Sequence, residues 1–425
     1  MTRSDEYAVG VKGRSLDAVA TVPGSKSIAN RALICAALAR GASTIIGLPD
    51  GDDTQAMVQG LELLGAFIDL DGATAHFEQP IDLSRDDAVT VNANLAGTTA
   101  RFLTAIGLLR QGPLTVTGNE SLRSRPMKDL HLALEQLGAS VSWQSEKFCL
   151  PVTVQRGTTC SDSVQVSAST SSQFVTSLML IAPMLENGLT IELLGDIISL
   201  PYITMSASVM RSFGANIRIV NERKIVIDGG GYVGCEFVVE PDASSASYPF
   251  AAAAVVGGRV QVHGMSLNMM QGDCRFADVL KQMGCDVVED QAGITISRDA
   301  TTSLRGLDVN MSEISDLVPT LAVVAMFADT PTRIRGVGFI RGKESDRIGD
   351  LAVEMRQLGA NVVEHPDGLE ITPQALHSGR CDTHHDHRLA MAFGVAGLKL
   401  DGVIISDPHV VSKSWPQFWG MLETL

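Results

Sequence analysis

Apolar residues recur along this 425-residue chain in stripes that have the spacing of an α-helix and that end on glycine. Leu130, Leu134 and Leu137 form one such stripe directly before Gly138, and four other segments repeat the arrangement, the third with weaker apolar character. A stripe of this period predicts an amphipathic helix, and a glycine after it is typical of a helix C-cap. The five glycines are Gly65, Gly138, Gly214, Gly284 and Gly359.

The distances between these glycines indicate an internal repeat. They are 73, 76, 70 and 75 residues in turn, a near-constant period that chance placement would rarely give. A short β-rich run precedes each of these helices, and a sixth run follows near the C-terminus. The six predicted strands occupy residues 43–47, 114–118, 189–193, 259–264, 332–336 and 402–406.

A second apolar helix is predicted before each strand, and its first residues are polar or rich in glycine. These openings lie at residues 24–27, 96–99, 171–173, 242–245, 315–316 and 386–388. The repeating unit is therefore helix, strand, helix, strand. Three units on either side of residues 232–241 predict two similar α/β halves, a first domain at 22–239 and a second at 240–425 completed by 1–21. The cleft between two such halves is the expected binding site.

The composition narrows the class of ligand. Lys and Arg number 33 against 48 Asp and Glu, which gives a net charge of -15 and disfavours nucleic acid and anionic membranes as partners. We find neither a signal sequence near Met1 nor an apolar run long enough to span a membrane, so we expect a cytoplasmic protein. The seven cysteines form no C-x-x-C pair, which argues against a disulfide framework and a cysteine zinc site.

In this acidic chain, several cations are predicted at or near helix starts. Each helix N-terminus carries unpaired N–H groups and about half a positive charge, so cations added there indicate a ligand with several negative charges. Pro23 to Arg31 is the strongest such segment, because Lys26 and Arg31 could grip one anion while Gly24 admits close backbone approach. The cations are Lys26, Arg31, Arg125, Lys343, Arg347, Arg388 and Lys413.

Other candidates depend more on their context. Gly97 opens a Gly-Thr turn, and the run 171–173 of two serines and a glutamine suits either phosphate binding or simple helix capping. Asp316 and Glu344 are the predicted proton-transferring carboxylates, since each neighbours the cations. We also expect Lys343 and Arg347 to share a helix face, for which a solvated charged surface is the alternative.

Residues 382–387 contain three histidines and two aspartates, which raises the possibility of a metal site. Strand alternation would put His385 and His387 on one face, but His387 is predicted to begin a helix, and no further ligand pattern is visible. We therefore favour anion binding by Arg388 over a metal centre. A metal-dependent hydrolase built on these histidines remains one alternative.

These segments, in this order and spacing, resemble the enolpyruvyl transferase family over essentially the whole chain. The segments that carry the resemblance are 23–31, 97–98, 125–126, 171–173, 242–246, 343–347 and 386–388. The resemblance implies an inside-out α/β barrel fold of two domains, each made of three βαβαββ repeats, with the active site in the interdomain cleft. It also implies transfer of the enolpyruvyl group of phosphoenolpyruvate to the 5-hydroxyl of shikimate 3-phosphate, a step of chorismate and aromatic amino acid biosynthesis. No metal or organic cofactor is implied, and we expect a monomer.

The resemblance also assigns roles to individual residues. Asp316 would act as the base and Glu344 as the acid, with Lys26 as a third catalytic group. Shikimate 3-phosphate would be held by Lys26, Ser27, Arg31, Ser171, Ser172, Gln173, Ser199, Tyr202, Asp316 and Lys343. Phosphoenolpyruvate would be held by Lys26, Gly97, Arg125, Gln173, Arg347, Arg388 and Lys413.

The chain departs from the family pattern at a few positions. Leu95 and Phe339 stand where members often have Asn, Phe102 where many have Pro, and Ser121 and Leu200 where basic residues are common. Two alternatives remain beside the hydrolase. One is the sister enzyme that uses a UDP-linked amino sugar, although its Lys-Asn opening and loop cysteine are absent. The other is a non-catalytic binder of phosphorylated metabolites, which the departures at Leu95 and Phe339 suggest.

Overall fold

The computed structural model of the protein describes residues 5–425. The strands are β1 (Glu6–Ala8), β2 (Leu16–Ala20), β3 (Ala39–Arg40), β4 (Ser43–Ile46), β5 (Ile68–Asp71), β6 (Thr74–Phe77), β7 (Val89–Asn92), β8 (Leu114–Thr117), β9 (Ser140–Trp143), β10 (Val152–Gln155), β11 (Ser163–Ser167), β12 (Leu189–Leu194), β13 (Ile217–Asn221), β14 (Lys224–Ile227), β15 (Tyr232–Val233), β16 (Glu236–Val238), β17 (Gly258–His263), β18 (Asp286–Glu289), β19 (Gly293–Arg298), β20 (Asp308–Asn310), β21 (Thr332–Arg335), β22 (Asn361–His365), β23 (Gly368–Thr372), β24 (Gly379–Cys381) and β25 (Val403–Ser406).

The α-helices are α1 (Lys26–Leu38), α2 (Asp52–Leu63), α3 (Gly97–Ile106), α4 (Glu120–Arg123), α5 (Lys128–Gln136), α6 (Ser172–Ile181), α7 (Leu200–Ser212), α8 (Ala243–Val256), α9 (Phe276–Gln282), α10 (Val318–Ala325), α11 (Gly349–Gln357), α12 (His387–Gly397) and α13 (Phe418–Thr424). Short 3₁₀ helices lie at Ala182–Met184, Gly272–Arg275, Ser315–Leu317, Gly338–Gly342 and Pro408–Lys413. The chain divides into two compact units, one of Gly24–Val239 and one of Met1–Pro23 with Glu240–Leu425.

The unit Gly24–Val239 contains three four-stranded sheets of the same design. Their strand orders are β16-β4-β6-β5, β7-β8-β10-β9 and β11-β12-β14-β13. In each sheet the first two strands run parallel and the last two form an antiparallel hairpin, as in the parallel pair β11 and β12, where Val164 lies opposite Ile191. A helix joins β7 to β8 and another joins β11 to β12, which gives the βαβαββ order directly. In the remaining sheet, the strand that runs parallel to β4 is β16, which lies at the C-terminal end of this unit.

The second unit repeats this design with strands from both ends of its sequence. Its sheets have the orders β18-β19-β17-β2, β20-β21-β23-β22 and β1-β25-β24. Strand β2 runs parallel to β17, and β1 pairs antiparallel to β25. The described part of the N-terminal segment therefore supplies one strand to each of two sheets, while residues 1–4 lie outside the described residues.

Three helices form the buried centre of each unit, and the sheets pack against them. Helices α1, α3 and α6 contact one another in one unit, and α8, α10 and α12 do so in the other. Every residue of α12 is buried, as are Ile28 to Leu38 of α1. A helix that is apolar all round must be covered on all sides, which explains why these helices are central. Their starts are therefore fixed by a packed core.

The predicted repeat signals are confirmed. All five glycines have a positive φ, between 80° and 105°, the left-handed backbone expected after a helix. At Gly65, for example, the glycine N–H donates to the carbonyl of Glu62 and the next N–H donates to Leu61, which closes the end of α2. Each of the six predicted runs contains a strand. Within the described residues, no helix is long and apolar enough to cross a membrane.

The predicted helix through Lys343 and Arg347 is wrong. Helix α11 begins only at Gly349, and the backbone of Lys343 has φ -85° and ψ -143°, which is not helical. The cause is Asp346, whose Oδ1 accepts hydrogen bonds from the N–H groups of Ile348 (3.1 Å) and Gly349 (2.9 Å). A short acidic side chain bonded in this way competes with helix hydrogen bonding at its own position. Lys343 and Arg347 therefore share no helix face.

Candidate active site

The second unit brings the predicted chemical residues of its half into one charged cluster. Asp386, the N-cap of α12, also belongs to this cluster, although it was not predicted from the sequence. We call the group the Asp316 cluster, and it consists of Asp316, Lys343, Glu344, Arg347, Asp386, Arg388 and Lys413. Four different segments of the chain supply these residues, and Asp316, Asp386 and Arg388 lie at the start of a helix or 3₁₀ helix.

Arg347 is the centre of the Asp316 cluster. It is buried, and its Nε donates to Asp386 Oδ2 at 2.7 Å. Its Nη1 donates to Asp316 Oδ1 at 3.1 Å, and its Nη2 donates to Glu344 Oε2 at 3.0 Å. Burial alone would lower the pKa of Arg347, but the three carboxylates raise it above its ordinary value. Arg347 therefore stays charged and fixes the positions of all three acids.

Asp316 is held by further cations. Arg388 Nη2 donates to Asp316 Oδ2 at 2.8 Å, and Lys343 Nζ lies 3.9 Å from Oδ1. Burial would raise the pKa of Asp316, but Arg388, Lys343 and Arg347 hold it well below its usual range. About one fifth of the Asp316 side chain is exposed, so a ligand can reach it. In this state Asp316 is a carboxylate that neutralises cations.

Glu344 and Lys413 form the other edge of the cluster. Lys413 ends the 3₁₀ helix Pro408–Lys413 and is buried, with its Nζ 3.9 Å from Glu344 Oε1. Lys413 is one of the predicted cations, and the family resemblance assigns it to phosphoenolpyruvate. A buried lysine beside a carboxylate that Arg347 also contacts places two cations on Glu344. Cations and carboxylates in this arrangement can exchange partners with an anionic ligand.

In the unit Gly24–Val239, Arg31 is a buried cation with neutral partners. Its Nε donates to Ser206 Oγ at 2.7 Å, and its Nη1 donates to the Ser27 carbonyl at 2.6 Å. The guanidinium also lies 5.4 Å from the centre of the Phe102 ring. Burial lowers the pKa of Arg31 to about 10, so it remains charged at neutral pH. Because these oxygens are uncharged, they leave the charge of Arg31 available to an anion.

Lys26 is the first residue of α1, and its side chain contacts the start of α2. Its Nζ donates to Asp53 Oδ2 at 2.9 Å, and Asp53 is buried in the first turn of α2. Asp53 was not among the residues predicted from the sequence. The available signal was a pair of acids, Asp52 and Asp53, at a helix start, which also suits ordinary pairing with the helix dipole.

Gly97, Arg125 and Gln173 are brought together around Arg101. A Cβ at Gly97 would lie 3.2 Å from Nη1 of Arg125 and closer still to Nη1 of Arg101, so a larger residue here would displace these guanidinium groups. Nη1 of Arg101 also donates to Gln173 Oε1 at 2.9 Å. Arg101 was not among the predicted site residues. Its position one turn after Gly97 was the signal that could have identified it.

The remaining predicted residues lie near the starts of α6 and α7. Ser171 Oγ accepts a hydrogen bond from the Gln173 N–H at 3.2 Å, so the capping role considered for it is observed. Ser172 is buried at the first position of α6. Ser199 precedes α7 with a left-handed backbone, φ 54°, and its carbonyl accepts from the Tyr202 N–H. Tyr202 is an electrostatic neighbour of Arg31.

The three histidines are dispersed and do not share a strand face. His385 has a left-handed backbone with φ 57° and is exposed, while His387 begins α12, so the strand alternation considered for this pair is wrong. His384 hydrogen bonds to Glu354. Among residues 5–425, no group of three or more His, Cys, Asp or Glu side chains is placed to hold a metal ion.

Comparison with known proteins identifies similar chains. A family model described as EPSP synthase (3-phosphoshikimate 1-carboxyvinyltransferase) matches residues 11–422. The curated 3-phosphoshikimate 1-carboxyvinyltransferase of Trichormus variabilis is 37% identical over 98% of each chain, and that of Methanoculleus marisnigri is 40% identical over 96% of each chain. A solved structure of EPSP synthase from Acinetobacter baumannii superposes with a TM-score of 0.80 at 25% identity, covering 98% of this chain and 97% of the other.

Proposed function

Because this chain belongs to the EPSP synthase (3-phosphoshikimate 1-carboxyvinyltransferase) family, we propose that it transfers the enolpyruvyl group of phosphoenolpyruvate to the 5-hydroxyl of shikimate 3-phosphate. The products are 5-enolpyruvylshikimate 3-phosphate and inorganic phosphate. The reaction belongs to the shikimate pathway, which leads to chorismate and the aromatic amino acids. Cytoplasmic location, monomeric state and placement of the substrates in an interdomain cleft stay predictions of the sequence.

The observation that carries this proposal is the Asp316 cluster. Phosphoenolpyruvate has a carboxylate and a phosphate, and shikimate 3-phosphate has the same two groups, so the site must bind several negative charges at once. Arg347, Arg388 and Lys413 are held here by Asp316 and Glu344, which occupy the cations as substrate anions would. Each charge-assisted contact with a substrate contributes roughly 1.5 to 3 kcal/mol. Several such contacts offset the repulsion between two anionic substrates.

We assign the cations of the other unit to the same substrates. Lys26 and Arg31, with Ser27, Ser171, Ser172, Gln173, Ser199 and Tyr202, would bind shikimate 3-phosphate, as would Asp316 and Lys343. Gly97, Arg125 and Gln173 would bind phosphoenolpyruvate together with Lys26. The neutral partners of Arg31 support this role, because a phosphate group would supply the charge that they lack. The Gly97 backbone lies directly beside two guanidinium groups, so an anion bound by these groups would also lie close to the start of α3.

The chemistry assigned to the two carboxylates is acid–base catalysis. Asp316 accepts the proton of the 5-hydroxyl as that oxygen bonds to C2 of phosphoenolpyruvate, while Glu344 donates a proton to C3. Loss of a proton from C3 and of phosphate from C2 then restores the double bond. Glu344, which enters the reaction as the carboxylic acid, would take that second proton back, and the departing phosphate would take the proton held by Asp316. Both groups then return to their starting protonation states at the end of each turnover.

Substrate binding itself would prepare Asp316 for this role. Without substrate, Arg388, Lys343 and Arg347 hold the pKa of Asp316 well below its usual range, which makes it a weak base. When substrate anions draw these cations away, the pKa of Asp316 rises toward its ordinary value. A carboxylate with a higher pKa accepts the hydroxyl proton more readily.

The direct test of the proposed function is phosphate release from the purified protein. Phosphoenolpyruvate is supplied with either shikimate 3-phosphate or a UDP-linked amino sugar, and each substrate is omitted in turn. We expect release only when shikimate 3-phosphate and phosphoenolpyruvate are both present. Release with phosphoenolpyruvate and the UDP-linked amino sugar, but not with shikimate 3-phosphate, would show that the proposed acceptor is wrong. No release with either acceptor would favour a non-catalytic binding protein.

Lys413→Ala is expected to weaken phosphoenolpyruvate binding. The change removes a buried cation beside Glu344, and the loss of one charge-assisted contact should raise KM for phosphoenolpyruvate by about 10- to 100-fold. Steady-state kinetics with each substrate varied separately measures this. Lys399→Ala, at an exposed lysine of the same unit, should leave both KM values unchanged. An unchanged KM and rate in Lys413→Ala would refute the role.

A further inference from the structure

The loop between β24 and α12 is attached to α11 by a group that the catalytic scheme does not use. Glu354 lies in α11 and is buried, and its Oε2 accepts the backbone N–H of Asp382 at 2.9 Å. Its Oε1 faces His384 Nε2 at 2.8 Å. One carboxylate therefore holds both the backbone and a side chain of this loop. We call this contact the Glu354–His384 pin.

His384 is held in place from several directions. Its backbone is left-handed, with φ 48°, and its N–H donates to Asp382 Oδ1 at 2.7 Å. Nδ1 of its ring lies 3.7 Å from Asp350 Oδ1 on α11. The charged groups that face the ring are Glu354 and Asp350 from α11 and Asp382 from its own loop. The imidazole ring of His384 thus lies among three carboxylates.

The pin lies between the two segments that supply the guanidinium groups of the Asp316 cluster. Helix α11 begins two residues after Arg347, and α12 begins one residue before Arg388. Asp386, two residues after His384, accepts both Nε of Arg347 and the backbone N–H of Arg388. The N–H of Asp386 in turn donates to the Thr383 carbonyl at 2.8 Å. A shift of the pinned loop would therefore displace Asp386, the hydrogen-bond partner that both arginines share.

We propose that His384 and Glu354 are positioning residues for phosphoenolpyruvate binding, because they fix Asp386 and hence the geometry of Arg347 and Arg388. This inference rests on the proposed function, which assigns these two arginines to phosphoenolpyruvate. Neither His384 nor Glu354 needs to contact substrate. Their effect should appear in KM for phosphoenolpyruvate more than in kcat.

The pin also has a defined pH dependence. Burial would lower the pKa of His384, but the hydrogen bond that His384 donates to Glu354 and the charges of Asp350, Glu354 and Asp382 raise it above its ordinary value. A raised pKa means that the charged form strengthens the pin at lower pH, and that this contribution is lost as the pH rises through the raised value. KM for phosphoenolpyruvate should therefore increase over that range. A neutral His384 can still donate one hydrogen bond, so the increase should be only a few-fold.

The test compares three variants of the full-length protein. His384→Asn suits the left-handed backbone, but its side chain is too short to reach Glu354. His384→Gln restores a donor of similar reach that does not titrate. His385→Asn is the matched control, since His385 is the next residue, is also left-handed with φ 57°, and is exposed near Asp407.

Kinetics provides the first readout. We expect His384→Asn to raise KM for phosphoenolpyruvate by about tenfold, with kcat and KM for shikimate 3-phosphate changed much less. His384→Gln should recover most of the loss and show a flatter pH profile of KM than the parent. His385→Asn should match the parent. A parental KM in His384→Asn, or equal effects of His384→Asn and His385→Asn, would overturn the proposal.

Hydrogen–deuterium exchange provides a readout that does not need turnover. The amides of Asp382, His384, Asp386 and Arg388 are all bonded within the pinned loop or to Glu354, so His384→Asn should speed their exchange. Unchanged exchange would show that no pin exists. Faster exchange with an unchanged KM would show a local contact without a positioning role. If the parent releases no phosphate, the proposed function fails, and the pin is judged by exchange and by calorimetric binding of phosphoenolpyruvate, where unchanged affinity in His384→Asn would refute it.

Discussion

Asp316→Asn and Glu344→Gln are each expected to lower kcat by about 10²- to 10⁴-fold, the usual contribution of a positioned acid or base. Both substitutions keep the size of the side chain and one acceptor oxygen, so Arg347 retains a hydrogen-bond partner at each position. Each removes a group that can take or give a proton in the proposed mechanism. Steady-state turnover measures the loss, and calorimetry with shikimate 3-phosphate should show that binding is largely intact.

Glu313→Gln is the matched control for these two variants. Glu313 lies three residues before Asp316 but is exposed, and it pairs with Arg275 outside the Asp316 cluster. It should therefore keep parental turnover. Full turnover in both Asp316→Asn and Glu344→Gln would show that the acid and base are assigned wrongly. Loss of affinity for shikimate 3-phosphate with unchanged kcat would make Asp316 a binding residue only.

The pH profile of kcat/KM adds an independent check on Asp316. This quantity reports ionisations of the free enzyme, in which the three cations hold the pKa of Asp316 well below its usual range. Asp316 is then already ionised at any pH where the protein is assayed near neutrality. We therefore expect the acid side of the profile to show no ionisation of Asp316 between pH 5 and 8, a range about one unit or more above even an unperturbed aspartate.

The sequence predicted the repeated framework because each of its signals is local. The end of a helix at Gly65 or Gly359 can be predicted from the residues of its last turn alone. The position after the helix has a left-handed backbone, which glycine adopts readily. The same holds for cations near helix starts, such as Lys26 and Arg388. These signals repeat with a near-constant period, so a repeat with a weak signal, such as the third, can be assigned from the clearer repeats.

The missed residues are those whose role depends on a partner far away in sequence. Asp53 pairs with Lys26, Arg101 with Gln173, and Asp386 with Arg347, 39 residues earlier. In the sequence, each of these residues resembles a helix cap or an ordinary charged residue of a helix, because the contact that shows its role forms only in the folded protein.

The false helix at Lys343 has a different cause. Spacing alone allows a helix through residues 343–347, and the competing hydrogen bonds of Asp346 are not visible in that spacing. Folding nevertheless brings Lys343 and Arg347 to the same carboxylate, Asp316. The two cations are therefore neighbours through tertiary structure and not through a shared helix.

Arg347→Met is expected to give the largest loss of stability among single substitutions in the Asp316 cluster. Methionine fills much of the same space but leaves Asp386, which is fully buried, without its guanidinium partner. Removing one member of a buried ion pair typically costs about 3 to 5 kcal/mol, because the other charge is left uncompensated. The free energy of unfolding, measured by urea denaturation at neutral pH, should fall by this amount.

The double variant Arg347→Met with Asp386→Asn shows how much of the stability loss in Arg347→Met comes from the unpaired charge of Asp386 and how much from altered packing. If the loss comes from uncompensated charge, the neutral amide at position 386 should recover part of it. Arg335→Met, which breaks an exposed pair with Asp308, should cost no more than about 1 kcal/mol. A loss in Arg347→Met as small as in Arg335→Met would mean that the cluster contributes little to folding. Arg347 would then act only on the substrates.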